Sequence, residues 1–199
     1  QHKGDAMNLK ELAEQHAAAF HVELGAKLGG GDCAAVYRVD AGPWSGGKHQ
    51  YRTLKVWRPA KAAKADGTIY EGPSLPMQKA HDNALRRAVE LDLHDFMPRL
   101  LDTRPGASLI EYRPGIPLWK WVQTASAYAR SEVAERLVEL VARMNSARFM
   151  HGDLNSGNVL VSARRVVTVI DPYPTRPETN MQGLAGLMCV LITSERERE

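Results

Sequence analysis

Three polar side chains in the last third of the sequence are spaced to do metal chemistry. Asp153 and Asn158 stand in His151-Gly152-Asp153-Leu154-Asn155-Ser156-Gly157-Asn158, and Asp171 follows in Val169-Ile170-Asp171-Pro172. Two carboxylates and an amide carbonyl gathered on one spot can hold Mg²⁺, which takes hard oxygen ligands and keeps phosphates and waters as the rest of its shell. Something must gather them. Val159-Leu160-Val161 and Val166-Val167-Thr168-Val169-Ile170 are predicted as the two strands of a hairpin that turns near Ala163-Arg164. The Asp153–Asn158 segment is then the loop leading into the first strand. Asp171 falls at the end of the second strand, close to where that loop begins. A solvated hairpin with turn-forming Asn, Gly and Asp uses the same residue types, so the stretch is weighed with what lies upstream.

Upstream, Leu28 to Val39 reads as strand, turn, strand, with Gly29, Gly30 and Gly31 at the turn and Val36 beyond it. Glycines let a backbone take positive φ and approach a ligand closely. Tyr51 to Trp57 alternates into a third strand and sets Lys55 among apolar neighbours, a suitable place for an ammonium opposite a polyphosphate. Pro98–Asp102 and Ala107–Tyr112 are two more strands, with a turn at Arg104-Pro105-Gly106. Glu111-Tyr112-Arg113-Pro114-Gly115 then breaks the strand. Four helices are predicted from apolar spacing. One runs over Asn8–Phe20, with Leu9, Leu12, Ala13, His16, Ala17 and Phe20 on one face. A second covers Met77–His94, with Asp82 on the apolar face beside Leu85 and Val89. A third begins near Ser131, read as its N-cap, and carries the stripe Val133, Leu137, Leu140, Val141 and Met144. A terminal helix holds Met181, Leu184, Leu187, Met188, Leu191 and Ile192. Arg58 to Pro76 shows no period and reads as a long connection.

The pattern resembles the protein kinases. Asn158 is five residues after Asp153, and Asp171 is thirteen after Asn158, the kinase spacings. The resemblance implies that Asp153 accepts the proton of a substrate hydroxyl and that Asn158 and Asp171 bind metal. It implies that Gly29, Gly30 and Gly31 with Val36 cover the phosphates of ATP, Ala34 standing where the third loop glycine is expected. Lys55 matches the strand lysine that contacts the α and β phosphates. Glu111 and Arg113 match the hinge whose backbone bonds adenine, with Ile110 lining the pocket behind. The acid that pairs with the lysine is left open among Asp82, Glu90 and Glu71. Pro172-Tyr173 replaces the usual Phe-Gly, and Asn155 stands where many Ser/Thr kinases carry a lysine. With 28 residues after Asp171, no room is expected for a usual activation segment. The implied fold is α+β and two-lobed: an antiparallel sheet lobe with a leading helix over about residues 1–111, and a truncated, mostly helical lobe over about 112–199.

Composition narrows the function. A net charge of +3 over 199 residues, with no basic stripe interleaved with aromatics, argues against nucleic acid. No run reaches membrane-span length, and the first residues lack a cleavable signal pattern. Cys33 and Cys189 form neither a metal spacing nor a disulfide framework. Three readings compete: a protein kinase, a small-molecule phosphotransferase of the aminoglycoside type (favoured by His-Gly-Asp), and a pseudokinase binding module. The shortness of the second lobe leaves little for a small-molecule acceptor pocket, and the intact Lys55, Asp153, Asn158 and Asp171 speak for activity. Minimal size, the His-Gly-Asp loop and the missing activation segment are similar to the HopBF family of type III secreted bacterial effector kinases. That resemblance implies an enzyme that uses ATP and Mg²⁺, is delivered into a eukaryotic host cytoplasm, and phosphorylates a serine of a protein substrate, the ninety-kilodalton heat-shock chaperone; a monomer is expected.

Overall fold

A computed structural model describes residues 9–30, 33–43, 49–58, 62–63, 69–70, 75–173 and 179–193. The elements follow in the order α1 (Leu9–Ala19), β1 (Glu23–Gly30), β2 (Ala34–Pro43), β3 (His49–Trp57), β4 (Ala62–Ala63), β5 (Ile69–Tyr70), α2 (Leu75–Glu90), β6 (Leu100–Arg104), β7 (Ala107–Glu111), β8 (Ile116–Pro117), α3 (Leu118–Trp121), α4 (Ala127–Ser146), β9 (Val159–Val161), β10 (Val167–Val169) and α5 (Asn180–Thr193). The fold is α+β, as expected. A five-stranded sheet runs β1-β2-β3-β7-β6, a three-stranded sheet runs β10-β9-β8, and β4 pairs with β5. All pairs are antiparallel. The stretch predicted as a featureless connection thus contains β4 and β5, strands of two residues each and too short to print an alternation. The chain divides into two compact units, residues 1–82 with 100–112, and residues 83–99 with 113–199. The division falls inside α2.

In the first unit, strand alternation decides what the sheet buries. Ala35, Tyr37 and Val39 of β2, Leu54 and Val56 of β3, and Ala107 and Leu109 of β7 point to one face. There they form a core with Ala13, Ala17 and Phe20 of α1. Alanines at 13 and 17, four apart on one helix face, keep the helix surface low where it meets the sheet. The opposite face carries the intervening residues. Register places Val36, Lys55 and Ser108 side by side across β2, β3 and β7.

The turn between β6 and β7 is held from two sides. Gly106 has φ +86°, and a Cβ there would lie 3.3 Å from His16 Nε2 of α1. From α2, the Gln78 amide donates to the carbonyls of Arg104 (2.7 Å) and Ala107 (3.0 Å), while its oxygen accepts from Gly106 N–H (2.9 Å). Burial, then the charge of Arg104, holds the His16 imidazole below its usual 6.5. The unfolded chain therefore takes up this proton first, and the first unit loses stability as pH falls through 6.5 toward the folded value. The urea midpoint is expected to drop between pH 7.5 and 5.5, and His16→Gln to flatten that drop. An equal slope in the variant would assign the effect to other groups.

Three helices end alike. In α1, α2 and α4 the chain leaves through a left-handed residue: His21 (φ 55°), Asp92 (φ 56°) and Arg148 (φ 53°). Each end closes with the paired hydrogen bonds of a Schellman turn, as in Phe149 N–H to Met144 O (2.8 Å) and Arg148 N–H to Asn145 O (3.0 Å). The usual glycine is absent from all three.

The second unit is built on α4. Val133, Leu137, Leu140, Val141 and Met144 are buried, as the apolar stripe predicts. The start of the helix needs correcting: Ser126, not Ser131, is the N-cap, its Oγ accepting from Ala129 N–H at 3.2 Å. The predicted hairpin forms as β9 and β10 with Val159, Val161, Val167 and Val169 buried. Its turn runs through Arg165 at φ 58°, with Ser162 N–H to Val166 O closing it at 3.0 Å. Unforeseen is β8, whose Ile116 and Pro117 pair with Val161 and Leu160. Gly115 allows this approach, since a Cβ there would be 3.0 Å from Leu160 Cβ.

Candidate active site

The Schellman turn at the end of α4 sends the chain through Phe149 into the loop. His151 is fully buried. Its Nδ1 faces Asp153 N–H at 3.3 Å, and its Nε2 faces Ile170 O at 3.0 Å. A backbone N–H requires an acceptor and a carbonyl requires a donor, so these partners assign the neutral ring with its proton on Nε2. The imidazole thereby ties the loop to the residue preceding Asp171. The carbonyl of His151 accepts from Tyr173 N–H at 2.6 Å, a second tie beyond Asp171.

Within the loop the predicted site residues meet. Asn158 donates from Nδ2 to Asp153 Oδ2 (2.9 Å) and to the Asp153 carbonyl (2.8 Å). Both contacts are to oxygens, so the amide orientation is set, and Asn158 Oδ1 is the atom left for another partner. Asn155 does not extend outward as a lysine at that position would. Its Oδ1 accepts from Gly157 N–H (2.9 Å) and Asn158 N–H (3.2 Å), folding the loop back on itself. This is an Asx-type turn, the local use to which asparagine is suited.

Asp171 is delivered by β10. Ile170 N–H bonds Asn158 O at 2.9 Å, and Val169 N–H bonds Phe96 O at 2.7 Å, so the strand is pinned on both edges up to the residue before Asp171. Asp171 itself has φ 56°. Asp and Asn tolerate this region better than most residues, and such a conformation at a candidate site is worth noting. Asp153 and Asn158 are thus joined by hydrogen bonds within the loop, and the bond from Ile170 N–H to Asn158 O brings the residue before Asp171 against it. Among the described residues no group of three His, Cys, Asp or Glu side chains could hold a metal ion by itself. The donor set, one carboxylate and one amide oxygen beside a second carboxylate, fits a hard cation that keeps phosphate and water ligands.

The other predicted residues, apart from Glu90 and Arg113, belong to the first unit. Gly29 and Gly30 end β1, and a Cβ at Gly30 would be 2.9 Å from the Ala34 carbonyl, so β2 approaches it closely. Gly31 and Glu71 lie outside the described residues. Lys55 is 6% exposed, with Nζ 4.5 Å from the centre of the Trp57 ring. Its cross-strand neighbour Ser108 accepts from Trp57 Nε1 (3.1 Å) and donates to Asp82 Oδ1 (2.8 Å). Asp82, 2% exposed, also accepts from Thr103 Oγ1 (2.7 Å) and meets His81 Nδ1 (3.0 Å). Burial pushes the Asp82 carboxyl up, but the bonds from His81, Thr103 and Ser108, with the charge of His81, outweigh it and leave Asp82 below its usual range. Glu90 instead pairs with Arg87 on the exposed side of α2 at 2.9 Å. Asp82 is therefore the candidate acid seated on the Lys55 face. Glu111 ends β7 opposite Arg52. Arg113 opens the return into the second unit, its guanidinium donating to His94 O at 2.7 Å.

Sequence reasoning named His151 only as part of its motif and passed over Asn180 of α5, which is 2% exposed. A lone asparagine before an apolar run signals a helix cap by type, and nothing in its spacing marks another use.

Residues 98–196 match the family model described as the ABC1 atypical kinase-like domain. The match takes in Asp153, Asn158 and Asp171 and leaves out the glycine turn and Lys55. No curated protein matches the chain. By this match the second half of the chain is similar to an atypical kinase-like domain.

Proposed function

We propose that the chain is an ATP- and Mg²⁺-dependent phosphotransferase acting on a protein hydroxyl. The observation that carries this is the Asn158 amide, which donates to Asp153 and keeps its oxygen for another partner, while Ile170 N–H, one residue before Asp171, bonds the Asn158 carbonyl. Asn158 and Asp171 would hold Mg²⁺, which when bound offsets phosphate charge. Asp153, oriented by the Asn158 amide, is positioned to receive the proton of an acceptor hydroxyl. Lys55 and the backbone near Gly29 and Gly30, at the end of β1, are suited to the phosphates, and the backbone of Glu111 and Arg113 to the adenine edge. In such a reaction positioning and electrostatics supply most of the rate gain.

The similarity to the HopBF family extends the reading: a bacterial effector, working as a monomer in a host cytoplasm, that phosphorylates a serine of the ninety-kilodalton heat-shock chaperone. Among the described residues no helix is long and apolar enough to cross a membrane. The test is titration calorimetry with ATP, with and without Mg²⁺, followed by labelled ATP offered with a eukaryotic lysate, with the purified chaperone and with an aminoglycoside panel. Expected are metal-dependent binding and label on a protein serine. Label on an aminoglycoside would make the chain a small-molecule phosphotransferase. Absence of both binding and transfer would end the kinase reading.

A further inference from the structure

The start of α5 is capped twice over without help from its first residue. Thr179 Oγ1 accepts from Gln182 N–H at 3.2 Å, and Gln182 Oε1 accepts from Thr179 N–H at 2.8 Å. This is a reciprocal capping box. Asn180, the residue type that ordinarily caps, is left to face inward.

All of its amide is used there. Asn180 Oδ1 accepts from His151 N–H at 2.9 Å, and Nδ2 donates to Phe149 O at 2.6 Å and to Asn145 Oδ1 at 3.1 Å. Bonding the carbonyl of residue 149 and the N–H of residue 151, the side chain acts as a neighbouring strand would, and it fixes the backbone on both sides of Met150. One turn further, Gly183 lets the helix rest on the loop itself. A Cβ at Gly183 would be 2.6 Å from both Cβ and the carbonyl oxygen of Leu154, the residue between Asp153 and Asn155.

We infer that Asn180 is a positioning residue, which sets Asp153 and Asp171 together by holding His151. The chain of contacts is short: Asn180 to the His151 backbone, then the His151 ring to Asp153 N–H on one side and to Ile170 O on the other. A displacement at Asn180 moves the loop that carries Asp153 relative to the strand that delivers Asp171. For the step it affects, the inference rests on the kinase reading; the link from Asn180 to the His151 ring stands without it.

The experiment uses the full chain with ¹⁵N-labelled histidine. In the wild type, the His151 ring is expected as a single tautomer with the proton on Nε2. Asn180→Ala is expected to release it into a mixture of tautomers. It is also expected to lower kcat for phosphoryl transfer by about tenfold to a hundredfold, the order that a misplacement near 1 Å produces, with KM for ATP moved by less than about twofold. Should Asn180→Ala not fold, Gly183→Ala, which keeps the amide and presses on Leu154, is expected to give the same split between kcat and KM. A wild-type ring protonated on Nδ1 overturns the inference. So does a folded Asn180→Ala enzyme with unchanged kcat, or one whose kcat falls while the His151 ring stays as in the wild type. If the wild type transfers no phosphate and the variant still loses its single tautomer, the kinase reading fails and the link from α5 to His151 holds.

Discussion

Replacing Asp171 with asparagine is expected to lower phosphoryl transfer by about 10³-fold, the scale of losing one preorganised charge-stabilising group, while shifting stability by less than about 0.5 kcal/mol. Asparagine is the informative replacement because residue 171 sits at φ 56°. Alanine would add the cost of a left-handed backbone, about 1 kcal/mol, and blur the two effects. Asparagine tolerates that conformation, keeps the shape and removes only the negative charge. Asp153→Asn should match it in turnover and differ in binding. Calorimetry should find the Mg²⁺ dependence of ATP binding reduced in Asp171→Asn and retained in Asp153→Asn. Near-normal transfer by either variant would move its assigned role to another residue.

Asp82 should show the largest effect on stability. Three donors, from His81, Thr103 and Ser108, converge on its carboxylate in a buried setting. Each loses its partner in Asp82→Ala, and stranding even one such group costs about 1–3 kcal/mol. A loss of about 3 kcal/mol or more is expected in urea unfolding of the first unit at pH 7. The sign with pH follows from the depressed carboxyl. In the folded chain Asp82 titrates below its unfolded value of 3.8. Its stabilisation is therefore complete above that value and is lost as pH falls through the lower folded one. The gap between wild type and Asp82→Asn should hold from pH 7 to about 4 and close below. A gap that persists undiminished in strong acid would show that Asp82 contributes shape and not charge. Because Ser108 faces Lys55 across the sheet, the same variants should weaken ATP binding.

What the sequence disclosed, and what it withheld, divides along physical lines. The valines gave away β9 and β10, and with them the approach of Ile170, which precedes Asp171, to Asn158, because strand pairing converts spacing directly into position. The buried stripe of α4 was legible for the same reason. Its first turn was not, since Ala127-Tyr128-Ala129-Arg130 adds only Arg130 to the buried face. Helix ends were hard to place because His21, Asp92 and Arg148 occupy turns where glycine is the recognisable signal. On α2, the apolar face read as Ala84, Leu85, Ala88 and Val89 with Asp82 beside it holds except at Val89, which is 44% exposed. The choice of Asp82 over Glu90 needed the register of β7, which brings Ser108 beside Lys55 and lies 26 residues from Asp82 in the chain. Asn180 was invisible for a similar reason: its partners are 29 to 35 residues away and are mostly backbone.

The leading helix has a bearing on how the protein must be handled. Trimming α1 to obtain a shorter version would strip the cover from Tyr37, Val39, Leu54, Val56 and Leu109 at one stroke. Those side chains belong to adjoining strands, so their bared tips would merge into one greasy plane and not scattered spots, the kind of surface on which copies of a polypeptide clump. Lys55, proposed to meet the phosphates, lies on the opposite face of the sheet, yet a shortened chain is expected to precipitate before it could be assayed. Soluble preparations should therefore begin upstream of Leu9.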